Sequence, residues 1–229
     1  MRSLSIKASA PNQKMNLKVV FRTLSAFIRT HLGRYVKPRR YGQIFEEIEK
    51  IKPKNILEIG TWNGKRAKQM IECAAQFHPV DALSYFGFDL FEKMDESIYK
   101  QEISKVPPKR DDVYGYLKGI GANIRLYSGY TQDTLTVLKE LQAMDFVYID
   151  GGHATETVLN DWNKVKEYMS ARTVVIFDDY WHNRSDGPKV VIDAIDKGVF
   201  DVEFLPEVDV FFNKDFGRLV ISLVKVARK

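Results

Sequence analysis

The sequence predicts an α/β domain: a doubly wound, mostly parallel seven-stranded sheet with an antiparallel last strand, preceded by a helical arm. Three observations carry this expectation. From Tyr41 onward, short apolar runs alternate with segments of helical period, the pattern of helices wrapped on a parallel sheet. Several of those apolar runs end in glycine or aspartate, the positions from which open α/β sheets hold ligands. Charge is also segregated. Residues 1–40 hold ten basic side chains and no acid, which leaves 25 of the 35 basic residues against all 30 acids in 41–229, a formal charge of −5. The +5 of the whole chain therefore belongs to the arm (1–40), and the body (41–229) is acidic.

With 229 residues, 45% of them hydrophobic, the chain can bury one large core. Cys73 is the only cysteine, so no disulfide within the chain and no thiolate metal cage can be built. No apolar run approaches the roughly 20 residues needed to span a bilayer, and no signal-peptide pattern opens the chain. The expectation is a soluble, cytoplasmic protein.

In the arm, Leu17, Val20, Phe21, Leu24, Phe27 and Ile28 recur at helical spacing while Lys14, Lys18 and Arg22 step by four, which predicts an amphipathic helix from about Gln13 to His31. Gly33 offers a stop. Its apolar stripe could pack on the body or on a second copy of the chain, its basic face could dock to a membrane surface, or the whole could be an organellar transit segment. A nucleic-acid partner is not expected, since no base-stacking module is present.

The elements then follow in order. "YGQIFEEIEKI" is helical and "NILEIG" is an apolar strand running into glycine. "GKRAKQMIECAAQF" is the next helix and "LSYFGFDLF" the second strand. A charged, proline-containing stretch, "EKMDESIYKQEISKVPPKR", precedes the helix "DDVYGYLKGI". "NIRLYSG", "MDFVYID" and "TVVIFDD" are three further strands, separated by the helices "TQDTLTVLKEL" and "ATETVLNDWNKVKEYM". The tail adds the helix "KVVIDAIDKG" and two strands, "DVEFLPEVDVFF" and "GRLVISLVKV", joined around "NKDFG".

Four strand ends hold the candidate chemistry. In "LEIGTWNGK", Gly60 and Gly64 bracket a turn that lets a helix N-terminus approach a ligand, although a purely structural βα turn explains a glycine pair equally well. Trp62 in its middle departs from the dinucleotide pattern G-x-G-x-x-G. Asp89 closes the second strand, where an acid can accept from both hydroxyls of a ribose. Asp150 ends another strand and Asp178 with Asp179 a further one; gathered at one sheet edge, three carboxylates call for a compensating cation unless they stay solvated or cap helices. Oxygen ligands favour a hard ion, Mg²⁺ before Mn²⁺ or Ca²⁺. His153 follows Asp150 by three residues and is a candidate general base, with helix capping or substrate binding as its plainer roles.

"LEIGTWNG", "FDLFE", "YSGYTQDTL", "YIDGGH" and "FDDY", in that order, resemble class I S-adenosylmethionine-dependent methyltransferases, and within them the metal-dependent macrocin and mycinamicin type with its DGxH signature. The resemblance runs from about Tyr41 to Val226 and leaves out the arm. It implies a Rossmann-like fold, with Glu58, Gly60 and Gly64 at the methionine end of the cofactor, Asp89 at its ribose, and Thr131 and Gln132 near its adenine. Trp62 and Asp150 are expected to bind the same cofactor. It also assigns Mg²⁺ to Asp150, Asp178 and Asp179, although catechol-type relatives have asparagine where Asp179 stands and a lysine where His153 stands. The expected activity is methyl transfer to a hydroxyl of a small molecule, a sugar or secondary metabolite before a catechol. The alternatives are a related enzyme using the site for other chemistry, or a non-catalytic cofactor-binding scaffold docking through its basic arm.

Overall fold

Helix α1 (Arg40–Ile51) opens the computed structural model, which describes residues 39–229 apart from 103, 104, 142, 208, 215 and 216. The predicted helix at 13–31, and with it every reading of the arm, lies outside the described residues. Ile44, Phe45 and Ile48 bury one stripe of α1. The helix stops where Lys52 turns left-handed at φ 53° and its N–H returns to the Ile48 carbonyl; Pro53 follows. Arg40, counted above with the basic arm, is the first residue of this helix.

The chain continues through β1 (Asn55–Ile59), α2 (Lys65–Ala74), β2 (Ser84–Asp89), α3 (Glu96–Gln101), α4 (Arg110–Lys118) and β3 (Asn123–Ser128). Then come α5 (Thr131–Thr134), β4 (Phe146–Ile149), α6 (Thr155–Glu167), β5 (Val174–Trp181), α7 (Pro188–Asp193), β6 (Phe200–Phe204), β7 (Asp209–Asn213) and β8 (Gly217–Arg228). Strand order is β3-β2-β1-β4-β5-β8-β6, with β7 also paired to β8. The first five strands in this order are mutually parallel, and β8 runs antiparallel to β5, β6 and β7.

Successive strand residues feed opposite layers. Leu57, Ile59, Val147 and Phe177 pack with Val158, Trp162 and Ile192 on one face, while Ile56, Tyr85, Tyr148 and Ile176 pack with Ile44, Met70 and Leu117 on the other. Both faces are thus covered by helices, which is why β1 and β4 are almost continuously buried.

The structure departs from expectation in three places. The sheet has eight strands, because "DVEFLPEVDVFF" breaks at Leu205–Pro206: proline has no N–H for the ladder, and the halves pair with different stretches of β8. The helix expected over "TQDTLTVLKEL" lasts only four residues before tightening into a 3₁₀ turn at Leu135–Glu140. Its threonines explain this: Thr134 Oγ1 donates to the Tyr130 carbonyl at 3.0 Å and Thr136 Oγ1 to that of Asp133 at 2.6 Å, competing with the helical ladder. Conversely, the stretch after β2 contains α3, started by Asp95, whose Oδ1 accepts the Ile98 N–H at 2.8 Å.

Candidate active site

Strand order reverses between β1 and β4, so the carboxyl ends of these two strands form the switch point at which α/β sheets bind ligands. The backbones meet closely there. Gly60, at φ 94°, lies so near β4 that a Cβ would fall 1.9 Å from the Asp150 carbonyl oxygen. Gly60 is therefore required by the crossing of two backbones, whatever ligand the turn receives. Gly64, at φ 73°, precedes the first residue of α2 and packs against Val113 and Leu117.

On the β1 side, Glu58 is buried between Leu57 and Ile59 in β1. Its Oε2 accepts the Tyr85 hydroxyl, and its Oε1 has no hydrogen-bond partner. Burial pushes this carboxyl up to about 8, against the opposing effects of the Tyr85 bond and the Arg66 charge. Asp89 braces the glycine turn: Oδ2 accepts the Trp62 N–H at 2.7 Å and Oδ1 that of Phe91 at 3.1 Å. Trp62 sits at the unusual φ of 45°, and its indole N–H donates to the Val106 carbonyl at 3.2 Å, tying the turn to the segment before α4. Thr131 is the first residue of α5 and does not cap it; its Oγ1 accepts from Asn160 at 3.2 Å, while Gln132 is exposed beside it.

The donors and acceptors on this side suit the chemistry of S-adenosylmethionine. The orphaned Glu58 Oε1 is an acceptor awaiting a donor such as an ammonium, Asp89 retains lone pairs for hydroxyls, and the helix α2 N-terminus follows the turn directly.

On the β4 and β5 side, three acids converge, Asp150, Asp178 and Asp179. Tyr148 Oη lies 2.6 Å from Asp178 Oδ2, to which it donates, and 3.1 Å from Asp150 Oδ2. Neighbouring strand residues ordinarily face opposite sides, yet Asp178 and Asp179 reach the same cluster. A register shift between Phe177 and Tyr180 and a left-handed Asp179, φ 55°, turn the second carboxylate inward. Burial and then the charges of Asp178 and Asp179 hold the Asp150 carboxyl well above the usual range. Asp179 goes the other way: burial opposes ionisation, but the bond to His153 and the nearby positive charges outweigh it and bring the carboxyl down to about 2.

His153 donates through Nδ1 to the Glu102 carbonyl at 2.6 Å and through Nε2 to Asp179 Oδ2 at 2.5 Å. Both partners are acceptors, so the ring carries both protons. Burial would depress its pKa, but the Asp179 bond and charge and the Glu102 carbonyl raise it to about 9. Helix capping falls to Glu102 instead, whose carboxylate accepts from the Ala154 N–H at 2.9 Å and the Thr157 hydroxyl at 2.7 Å at the start of α6.

The cation facing these acids is Arg40. Its Nε donates to Asp178 Oδ1 at 2.7 Å, and its terminal nitrogens lie 3.5 Å from Asp179 Oδ1 and 3.6 Å from Asp209 Oδ2. The Mg²⁺ expected at Asp150, Asp178 and Asp179 is not shown: among the described residues no group of three or more acids, histidines or cysteines that could hold a metal ion is found. Asp178 and Asp179 spend their oxygens on Arg40, Tyr148, His153 and Trp181. Arg40, Tyr148, Asp209 and Glu102 are site residues that sequence reading did not single out. Only Tyr148 had a signal, standing two residues before Asp150 on the same strand face.

Residues 57–180, more than half of the chain, match the family described as "Methyltransferase domain", and the chain belongs to that family. An uncharacterized protein of Acanthamoeba polyphaga mimivirus is 31% identical over 86 residues, which are 36% of this chain and 38% of that protein, so the chain matches well under half of that relative's length. Among solved structures, an O-methyltransferase from Bacillus cereus in complex with SAH superposes with a TM-score of 0.61 at 13% identity, covering 90% of each chain. TomG from Streptomyces achromogenes, an O-methyltransferase involved in tomaymycin synthesis and bound to SAM, gives 0.57 at 13% identity over 92% of this chain and 96% of its own. The O-methyltransferase NovP gives 0.57 at 16% identity over 82% and 80%. The fold is that of the class I methyltransferases. No helix among the described residues is long and apolar enough to cross a membrane.

Proposed function

We propose that this chain transfers the methyl group of S-adenosylmethionine to a hydroxyl oxygen of a small molecule, a sugar or secondary metabolite rather than a catechol. The observation that carries the proposal is the placing of two half-sites on either side of the switch point: a glycine turn with an orphaned buried carboxylate on β1, and a proton-holding cluster beyond β4 and β5. When bound, the cofactor supplies a methyl group activated by its sulfonium. Glu58, Gly60, Trp62, Gly64 and Asp89, with Thr131 and Gln132 on the far side and Asp150 at the boundary, are the residues proposed to receive it.

The protein's own work is alignment and proton management. His153 is the proposed acceptor of the hydroxyl proton. In the described state it holds two protons, so it acts only after losing one, and Asp179 sets how readily that happens. The DGxH and double-aspartate pattern supports a polyhydroxylated acceptor. Because the acids are not arranged as a metal set, no step is assigned to Mg²⁺.

The test is methyl transfer from S-adenosylmethionine to a panel of hydroxylated sugars, phenols and catechols, each with and without chelator. Turnover on a sugar or metabolite hydroxyl is the expected result; cofactor binding without transfer to any hydroxyl would favour the scaffold reading.

A further inference from the structure

The disagreement over the metal points to Arg40. This residue is fixed at both ends. Asp209 accepts the backbone N–H of Arg39 at 2.9 Å and of Arg40 at 2.8 Å, capping the start of α1, while the guanidinium reaches into the cluster of Asp178 and Asp179. The side chain is 8% exposed, and its guanidinium carbon lies 4.8 Å from the centroid of the Tyr41 ring and 5.8 Å from that of Phe211. An arginine cannot shed its charge in a protein, and its planar fork suits carboxylates.

All four oxygens of Asp178 and Asp179 are engaged by directional donors. Asp178 Oδ1 takes Arg40 Nε and the Asp179 N–H at 2.7 Å, and Oδ2 takes Tyr148. Asp179 Oδ1 takes the Trp181 indole at 3.2 Å and a longer contact with Arg40, and Oδ2 takes His153. Magnesium demands near-octahedral oxygen ligands at about 2.0–2.1 Å. To bind it here, these oxygens would have to give up their donors and seat a double charge against a permanent like charge.

We propose that in this chain the Arg40 guanidinium takes the place of the divalent cation, so that the carboxylate cluster binds Mg²⁺ or Mn²⁺ only once the guanidinium is removed. Removing it leaves Asp150, Asp178, Asp179 and Asp209 as acids with, among the described residues, His153 as the cation still in contact. Such an excess of negative charge recruits a hard cation.

The test is uptake of Mn²⁺ by the full-length free protein, followed by loss of the free-ion paramagnetic resonance signal, so it reads the cluster without turnover. Wild type and Arg40→Lys are expected to take up none stoichiometrically. Arg40→Gln is expected to gain one Mn²⁺ per chain, lost again when Asp178→Asn is added. Stoichiometric uptake by wild type that Asp178→Asn abolishes overturns the proposal, as does an Arg40→Gln protein that keeps its far-ultraviolet dichroism and binds no Mn²⁺. Should Arg40→Gln not fold, the wild-type titration decides alone. Failure here would leave the methyl-transfer reading standing, because that reading assigns no step to a metal.

Discussion

His153 and Asp179 are joined by a 2.5 Å hydrogen bond, one from the turn before α6 and the other from the bulge in β5. Each changes what the other does: Asp179 is drawn down to about 2, and His153, despite its burial, up to about 9.

The pair fixes where activity depends on pH. A general base must be neutral to accept a proton, so if His153 is that base the acidic limb of the rate profile falls near pH 9, not near the ordinary histidine value. Asp179→Asn removes the first cause of the upward shift, and the limb moves toward about pH 6.5. His153→Ala lowers the rate roughly 10²- to 10⁴-fold and abolishes the limb. A limb that stays put in Asp179→Asn excludes the pair as its origin.

Stability shows the same shift without turnover. A histidine whose pKa is raised by folding contributes stability that is complete below its unfolded value and is lost as pH rises through its folded value. The window therefore runs from about 6.5 to about 9. Wild type should melt above His153→Gln at about pH 6, and the gap should close by about pH 10. A gap independent of pH would mean that the ring contributes packing alone.

Glu58 loses stability in the same direction as His153, but through burial and not through a charged partner. Its folded value of about 8 lies above that of a free carboxyl, so the folded state binds the extra proton and loses stability as pH rises between the two. Glu58→Gln removes a buried ionisable group and should raise the melting temperature near pH 9, by about 2–8 °C if roughly 1–2 kcal/mol is recovered. It should also weaken S-adenosylhomocysteine binding at least tenfold by calorimetry, about 1.4 kcal/mol. A variant that melts higher and binds undiminished would remove Glu58 from the cofactor site.

Gly60 makes a poor probe of the cofactor. Because a Cβ would meet the Asp150 carbonyl at 1.9 Å, and φ is 94°, Gly60→Ala and Gly60→Val should destabilise the fold by several kcal/mol, roughly as strain and overpacking do together. Thermal melts of the free protein check this; a wild-type melt would show that β1 and β4 can separate there.

Local signals made much of this legible. Apolar runs ending in Gly60, Asp89 and Asp150 marked strand ends, and the structure gathers those ends on one edge of the sheet; Asp178, expected at a strand end as well, lies inside β5, which continues past the bulge to Trp181. Arg40 and Asp209 could not be found in this way: Arg40 is 138 residues from Asp178 and 169 from Asp209, and a lone arginine before a helix resembles the basic residues around it. Glu102 reaches His153 across 51 residues from a stretch without a motif. The direction of Asp179 depends on a bulge and a left-handed backbone that alternation alone puts on the wrong face. The eighth strand was foreshadowed by Pro206, whose missing N–H divides the run that was read as one strand.

The most direct test follows an isotope-labelled methyl group from S-adenosylmethionine into product by nuclear magnetic resonance, with wild type and His153→Ala given the same hydroxylated acceptors. The label is expected as a methyl ether with wild type and reduced roughly 10²-fold or more with the variant, while both bind S-adenosylhomocysteine alike. A label on nitrogen or carbon, or equal ether formation by both proteins, would contradict this expectation.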